Sequence, residues 1–321
     1  MYHIGINYYG HDTSCCLFKN DKLIFAIEEE RLTRKKHDGS IPIKSLEYIK
    51  HKFNLNEKNV KSINLATIPE RLVNEKYIGL YLKYKSQISE LFFSKKNSNK
   101  IDYLLNVRKK LEKKITINKR LDFYHHHLCH QYAAYYLSGF GSAACLSIDG
   151  LGEIESTCLG IAKKNKISIF ETTEFPHSLG EVYSAITQYL GYEPDSGEGT
   201  VMALAAFGNS KKKINKSNIS YENIFKKIIK IKNNKFKIDL SWFDYWRKRS
   251  KVRVSKKFIN IFGPPRKKES KNINENYKNI AAALQSQFQQ AYIKTIKNLL
   301  LKTGQKKLVL SGGCALNCKA N

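Results

Sequence analysis

Near the N-terminus the apolar positions fall in three short runs, 3–9, 15–18 and 23–27, separated by polar turns at Gly10-His11-Asp12-Thr13-Ser14 and Asn20-Asp21-Lys22. Runs of this length joined by tight turns predict a β-meander. The amphipathic stretch 41–53 predicts a helix, and 62–68 a fourth strand. The pattern then recurs. Residues 143–148 are apolar, Asp149-Gly150-Leu151-Gly152-Glu153 reads as a turn, 156–162 as a strand, 163–166 as a turn, 167–172 as a strand and 178–192 as a helix. This repeat, about 140 residues apart, predicts a duplicated α/β fold with a first lobe over 1–140 and a second over 141–321.

Between the repeats, 81–111 reads as helical and basic. Residues 209–275 are poorly periodic and predict an insertion or a set of surface helices, with one turn signal at Gly263-Pro264-Pro265. A long amphipathic helix over 277–301 stops at Gly304, and a strand over 307–310 enters Ser311-Gly312-Gly313. A strand and a Gly-Gly turn normally feed a helix, yet only about eight residues remain, too few for a helix that packs. The second lobe is therefore expected to be incomplete and the natural polypeptide to continue past Asn321. In element order, two such repeats resemble the actin and hexokinase superfamily, RNase H-like folds whose paired lobes turn their first loops toward a common cleft.

A hydrophobic fraction of 42%, 12% aromatics and only 6 Pro supply a core and exclude a disordered chain. No stretch of about 18 apolar residues occurs, and the N-terminus has neither a basic region leading into an apolar one nor a small-residue cleavage site. A soluble, cytoplasmic protein with no membrane association is the expectation. The seven cysteines are scattered and lack the spacing of a disulfide scaffold, so they read as reduced. The net charge of +28 comes mostly from 95–120 and 211–271, the latter thick with Asn and Ile and read as a solvated low-complexity surface. No RNA-recognition signature, zinc finger or helix-turn-helix accompanies the charge, so nucleic acid is not the expected partner.

The densest polar cluster is Tyr124-His125-His126-His127-Leu128-Cys129-His130. If His126 and His130 begin a helix, their i and i+4 spacing puts both imidazoles on one face, within reach of a single metal ion. Asp149, in a Gly-bracketed turn at the end of a strand, could complete a two-His, one-carboxylate set of the kind that suits iron(II). The competing reading is a His-rich loop with one capping and one core histidine. Three Gly-containing turns, at 10–14, 149–153 and 311–315, each follow a strand, where free backbone N–H groups can cradle an anion. Each could equally exist for a positive φ. Taken together in a duplicated pattern they favour a nucleotide, with Asp149 and Glu153 nearest its metal. The stretch 191–208 reads as a loop closing over that nucleotide or as the cap of a buried helix, and Ser178 as the cap of the helix after His177.

Several stretches, in order, resemble the O-carbamoyltransferases of nodulation and antibiotic biosynthesis. They are His3-Ile4-Gly5-Ile6-Asn7-Tyr8-Tyr9-Gly10-His11-Asp12-Thr13-Ser14, the Glu28-Glu29-Glu30-Arg31 run to His37, His126-His127-Leu128-Cys129-His130, Ile148-Asp149-Gly150-Leu151-Gly152-Glu153, Phe175-Pro176-His177-Ser178-Leu179-Gly180, Val201-Met202-Ala203-Leu204, Phe262-Gly263-Pro264-Pro265-Arg266 and Ser311-Gly312-Gly313-Cys314-Ala315-Leu316-Asn317. The resemblance covers nearly the whole chain outside the basic stretches. It implies an N-terminal domain of the actin and hexokinase superfamily, similar to the transferase that completes threonylcarbamoyladenosine on tRNA, joined to a C-terminal YrdC-like domain. The YrdC-like part would make carbamoyl-adenylate from carbamoyl phosphate and ATP with Mg²⁺. The N-terminal part would pass the carbamoyl group to a hydroxyl of a small-molecule acceptor, such as a sugar, a polysaccharide precursor or a secondary metabolite.

On that resemblance His126, His130 and Asp149 are the Fe²⁺ ligands. His11 and Lys36 are the catalytic candidates, His11 as general base. Gly10, Asp12, Gly150, Gly152, Glu153, Gly312, Gly313 and Asn317 surround the carbamoyl-adenylate. Two departures stand out. Thr200 occupies a position where the family usually has Lys, and the remaining acidic ligand and the YrdC-like domain would lie past Asn321, so a fragment without complete activity is expected. The alternatives are a tRNA-modifying threonylcarbamoyl transferase, which would bind tRNA with a steep salt dependence, and a nucleotide-binding module without turnover.

Overall fold

The computed structural model describes all residues except 9–10, 80–82, 85–100, 103, 116, 215–217, 248–251 and 271. Much of the helix expected over 81–111 lies outside the described residues. The chain divides into two compact units, one of Met1–Tyr84 with Phe93–Cys129 and the other of Lys85–Phe92 with His130–Asn321.

The first unit holds a five-stranded sheet of order β3-β2-β1-β4-β5, built from β1 (Tyr2–Asn7), β2 (Ser14–Lys19), β3 (Lys22–Glu28), β4 (Val60–Leu65) and β5 (Leu121–Phe123). The meander pairs antiparallel, with Ile4 opposite Leu17 and Ile6 opposite Cys15, while β4 runs parallel to β1 and β5 to β4. Because side chains alternate along a strand, Ile4, Ile6, Cys15, Leu17, Ile63 and Leu65 share one buried face. That face packs against Leu46 and Ile49 of helix α2 (Ile43–Lys52) and against Val107 and Leu111 of α3 (Val107–Lys114). A short helix, α1 (Glu29–Thr33), was not expected from the pattern. Its Glu29 is 2% exposed and accepts hydrogen bonds from the Lys44 and Ser45 backbone N–H groups and from Ser45 Oγ, at 3.0, 2.8 and 2.7 Å. The first turn of α2, entered from a proline that offers no side-chain cap, thus takes its anionic partner from another helix.

In the second unit the strands β6 (Ser142–Ile148), β7 (Glu155–Lys163), β8 (Lys166–Glu174) and β11 (Leu308–Ser311) form a sheet of order β11-β6-β7-β8. Strand β11 is parallel to β6 and the other pairs are antiparallel. This repeats β4-β1-β2-β3 position for position, so the duplicated α/β architecture expected from the sequence is present. Helix α4 (His126–Ser138) precedes β6 and helix α5 (Leu179–Tyr189) follows β8. Ser178 caps α5 by accepting from the Glu181 N–H, as expected. After α6 (Glu198–Leu204), the long helix α9 (Glu275–Thr303) starts on the Asn274 cap and ends at Gly304, which has a φ of +64°. No helix among the described residues is long and apolar enough to cross a membrane.

The region 209–275 departs from expectation. It carries helix α7 (Tyr221–Ile228), the hairpin β9 (Ile229–Lys232) with β10 (Lys235–Ile238), and helix α8 (Lys256–Phe262). Phe225, Trp242, Phe243, Trp246, Phe258 and Phe262 are at most 3% exposed. Tyr189 of α5 donates to the Phe262 and Gly263 carbonyls at 3.1 and 2.9 Å, tying this segment to the sheet-bearing part of the unit. The lysines occupy the outward positions of an ordinary buried-exposed alternation and mask a core beneath. Phe258→Ala should therefore cost about 3–5 kcal/mol of stability, the usual penalty for emptying an aromatic site. Chemical denaturation of the two proteins measures it; a surface segment would lose almost nothing.

Candidate functional site

Asp149 follows the last residue of β6, at the mouth of a turn that returns at once into β7. The turn closes through Asp149 N–H to Ser156 O and Gly152 N–H to Glu155 O, both at 2.8 Å. Asp149 Oδ1 accepts from the Gly150 N–H at 2.7 Å. Two other segments press on this turn. Ser178 Oγ contacts the Gly150 and Asp149 carbonyls at 2.7 and 3.2 Å. A Cβ on Gly180 would stand 2.7 Å from Gly150 Cα. After β11, Gly312 has a φ of +85° and a Cβ there would lie 2.4 Å from Ile148 O, while one on Gly313 would lie 3.0 Å from Asp149 Oδ1. The carboxylate is thus held at a strand end by backbone approaches that only glycine permits.

Helix α4 reaches the same place from the other side. Gln131 is fully buried and its Nε2 donates to Cys158 O and Ser147 Oγ at 2.9 and 3.2 Å, filling the space that Gly160 leaves open. Tyr135 donates to Gly141 O at 2.9 Å. These anchors fix the rotation of α4, and the preceding residue, His130, places Nε2 3.1 Å from Asp149 Oδ2. His126 lies one turn earlier on the same continuous helix, and the ligand atoms of His126, His130 and Asp149 lie within 4.8 Å of one another. Two imidazoles and a carboxylate at that separation fit one divalent ion and leave further positions open. The neighbouring histidines do other work: His125 Nδ1 accepts from the Leu128 N–H at 3.3 Å, and His127 is fully buried. The capping and core roles considered for the cluster are therefore filled, by histidines other than the paired ones.

The turn between β1 and β2 carries a second polar group. Asp12, at a φ of +54°, lies 2.6 Å through Oδ2 from His11 Nδ1 and 2.9 Å through Oδ1 from His37 Nδ1. Burial pushes the Asp12 carboxyl upward, but the hydrogen bonds and charges of His11 and His37 outweigh it and hold the group below the ordinary carboxylate range. Glu30, whose carboxylate also comes close, is taken up by the His37 backbone N–H at 2.8 Å and by Arg31. Lys36 is exposed beside His37.

Along residues 2–321 the sequence matches the family model described as carbamoyltransferase N-terminus. The chain belongs to this family. An uncharacterized protein of Synechocystis sp. is 31% identical over 331 aligned positions, covering 100% of this chain and 52% of that protein. The nodulation protein NolNO of Sinorhizobium fredii is 26% identical across 98% of this chain and 42% of its own length. The chain thus spans about half the length of the curated relatives it matches. Among solved structures, the ROK hexokinase of Thermus thermophilus aligns with a TM-score of 0.40 at 11% identity, covering 100% of this chain and 86% of that one.

In this chain the remaining candidates are placed as follows. Gly10 lies outside the described residues. Gly150 and Gly152 sit in the Asp149 turn, and the Glu153 side chain is buried there rather than open to solvent. The Asn317 amide exchanges two hydrogen bonds with Gln285, at 2.9 and 3.0 Å. Thr200 is exposed in α6. Sequence reasoning gave no role to Gly180, Gln131 or His37. Gly180 stood inside a recognised stretch, two residues after a helix cap, which is where a close helix–turn approach can be sought. Gly180→Ala must displace the Asp149–Gly150 turn and should cost about 1–3 kcal/mol. Gly199→Ala, with nothing within 4 Å of its added Cβ, should leave the denaturation midpoint unchanged or slightly raised.

Proposed function

We propose that this chain is the transfer half of an O-carbamoyltransferase, moving a carbamoyl group from carbamoyl-adenylate to the hydroxyl of a small cytoplasmic metabolite. The observation that carries the reading is the convergence of His126, His130 and Asp149 in a chain of this family. These three residues would hold Fe²⁺. Carbamoyl phosphate and Mg-ATP would be consumed by a YrdC-like domain to form the adenylate.

In the reaction, a bond forms between the acceptor oxygen and the carbamoyl carbon, the bond from that carbon to the adenylate phosphate oxygen breaks, AMP leaves and the acceptor proton departs. The bound metal would supply Lewis-acid polarisation of the carbamoyl carbonyl or orient the acceptor oxygen. His11, exposed on the β1–β2 turn, would take the acceptor proton. The backbone around Gly150, Gly152, Gly312 and Gly313 would face the phosphate, and Lys36 would offset its charge. AMP is a good leaving group and needs no acid.

The test is metal content after anaerobic purification of the chain and of its His126→Ala and His130→Ala variants. About one iron per chain is expected in the parent, falling roughly tenfold or more in either variant. Equal iron in all three proteins, or none in the parent, would sink this reading of the histidine pair.

A further inference from the structure

Two imidazoles meet one carboxylate at the β1–β2 turn, and their surroundings differ. We infer that Asp12 and His37 are positioning residues that fix His11 as its Nδ1–H tautomer and leave His11 Nε2 as the atom that accepts a proton. The transfer chemistry this serves rests on the carbamoyl reading; the tautomer itself does not.

An ionised carboxylate can only accept hydrogen bonds, so an imidazole nitrogen facing it must carry the proton. Asp12 Oδ2 faces His11 Nδ1 at 2.6 Å and Asp12 Oδ1 faces His37 Nδ1 at 2.9 Å, so in the neutral rings both lone pairs sit on Nε2. The two Nε2 atoms then part company. His37 Nε2 is shut off from solvent and has no hydrogen-bond partner. The His11 side chain is 57% exposed. One imidazole has its lone pair sealed inside the turn and the other presents it outward, so only His11 can take a proton from a molecule arriving from outside.

The clamp is itself held. The Asp12 carbonyl accepts from Asn7 Nδ2 at 3.2 Å. Thr13 N–H and Oγ1 both donate to the Asp38 carbonyl, at 3.0 and 3.1 Å, and the His37 N–H is fixed on Glu30. Asp12 and His37 both have left-handed backbones, with φ of +54° and +55°, a conformation that costs about 1–2 kcal/mol outside glycine. Two segments 25 positions apart thus spend conformational energy to bring three side chains into line. With both Asp12 oxygens engaged, the carboxylate cannot rotate away from His11 without giving up His37.

The deciding measurement is ¹⁵N NMR of the histidine rings in the labelled chain, at a pH where they are neutral. His11 should be mostly the Nδ1–H form. In Asp12→Gly, which removes the carboxylate but keeps a residue at ease with a positive φ, the ratio of Nδ1–H to Nε2–H should fall by about tenfold or more, the scale of a lost charge-assisted hydrogen bond. His37→Gln should shift the ratio in the same direction by less. Diethyl pyrocarbonate, located by peptide mass spectrometry, should modify His11 well ahead of His37. A parent His11 found mainly as Nε2–H, a ratio unmoved in Asp12→Gly, or His37 reacting as fast as His11 would overturn the assignment. The parent tautomer decides even if a variant fails to fold. Because no turnover or metal is read, failure of the iron test would leave this result standing, and the converse holds too.

Discussion

The buried amide of Gln131 sets where helix α4 points. Its Nε2 is satisfied by a β7 carbonyl and a β6 hydroxyl, and leaving it unpaired in that fully buried position would cost about 1–3 kcal/mol. The helix therefore has one rotation about its axis that keeps the amide bonded. His130 is the adjacent residue and His126 lies one turn before it, so both imidazoles inherit that rotation. A polar contact inside the sheet packing thus aims a pair of imidazoles that never enter the core.

Asp149 is fixed by a different kind of constraint. Its position depends less on side-chain partners than on how closely backbones approach: Gly180 against Gly150, Gly312 against Ile148, Gly313 against the carboxylate. The helix side of the site tolerates exchange of its surface residues as long as the amide anchor stays. The strand side tolerates almost no added volume. A site made this way holds its carboxylate without burying it, leaving Asp149 21% exposed and able to meet a ligand.

The parts of this structure legible in the sequence are those with a strong local period. The two meanders, α2, α9 and the i, i+4 histidine pair were all readable, because strand alternation and helix spacing act over a few residues. Strand β5 has three residues, too few to show a period, and α1 has five. The hairpin does alternate, as Ile229-Lys230-Ile231-Lys232 and Lys235-Phe236-Lys237-Ile238, but reading the region by its Lys and Asn content hid the buried aromatics. The family resemblance named the candidate residues at the site without showing what holds them. The link from Asp12 to His37, and that from Gly180 to the Asp149 turn, join distant segments, and no local pattern encodes them.

Strand β11 supplies the neighbour on the far edge of β6 and, through Gly312, the surface against which Ile148 and Asp149 rest. It enters roughly 160 residues after β6, and a contact between segments so far apart in the chain forms late, once the intervening loop entropy has been overcome. On a ribosome, β6, β7 and β8 can zip together through their short hairpins while the Asp149 turn still lacks one wall. Helix α4 and its histidines are thus synthesised long before the segment that completes the carboxylate's surroundings.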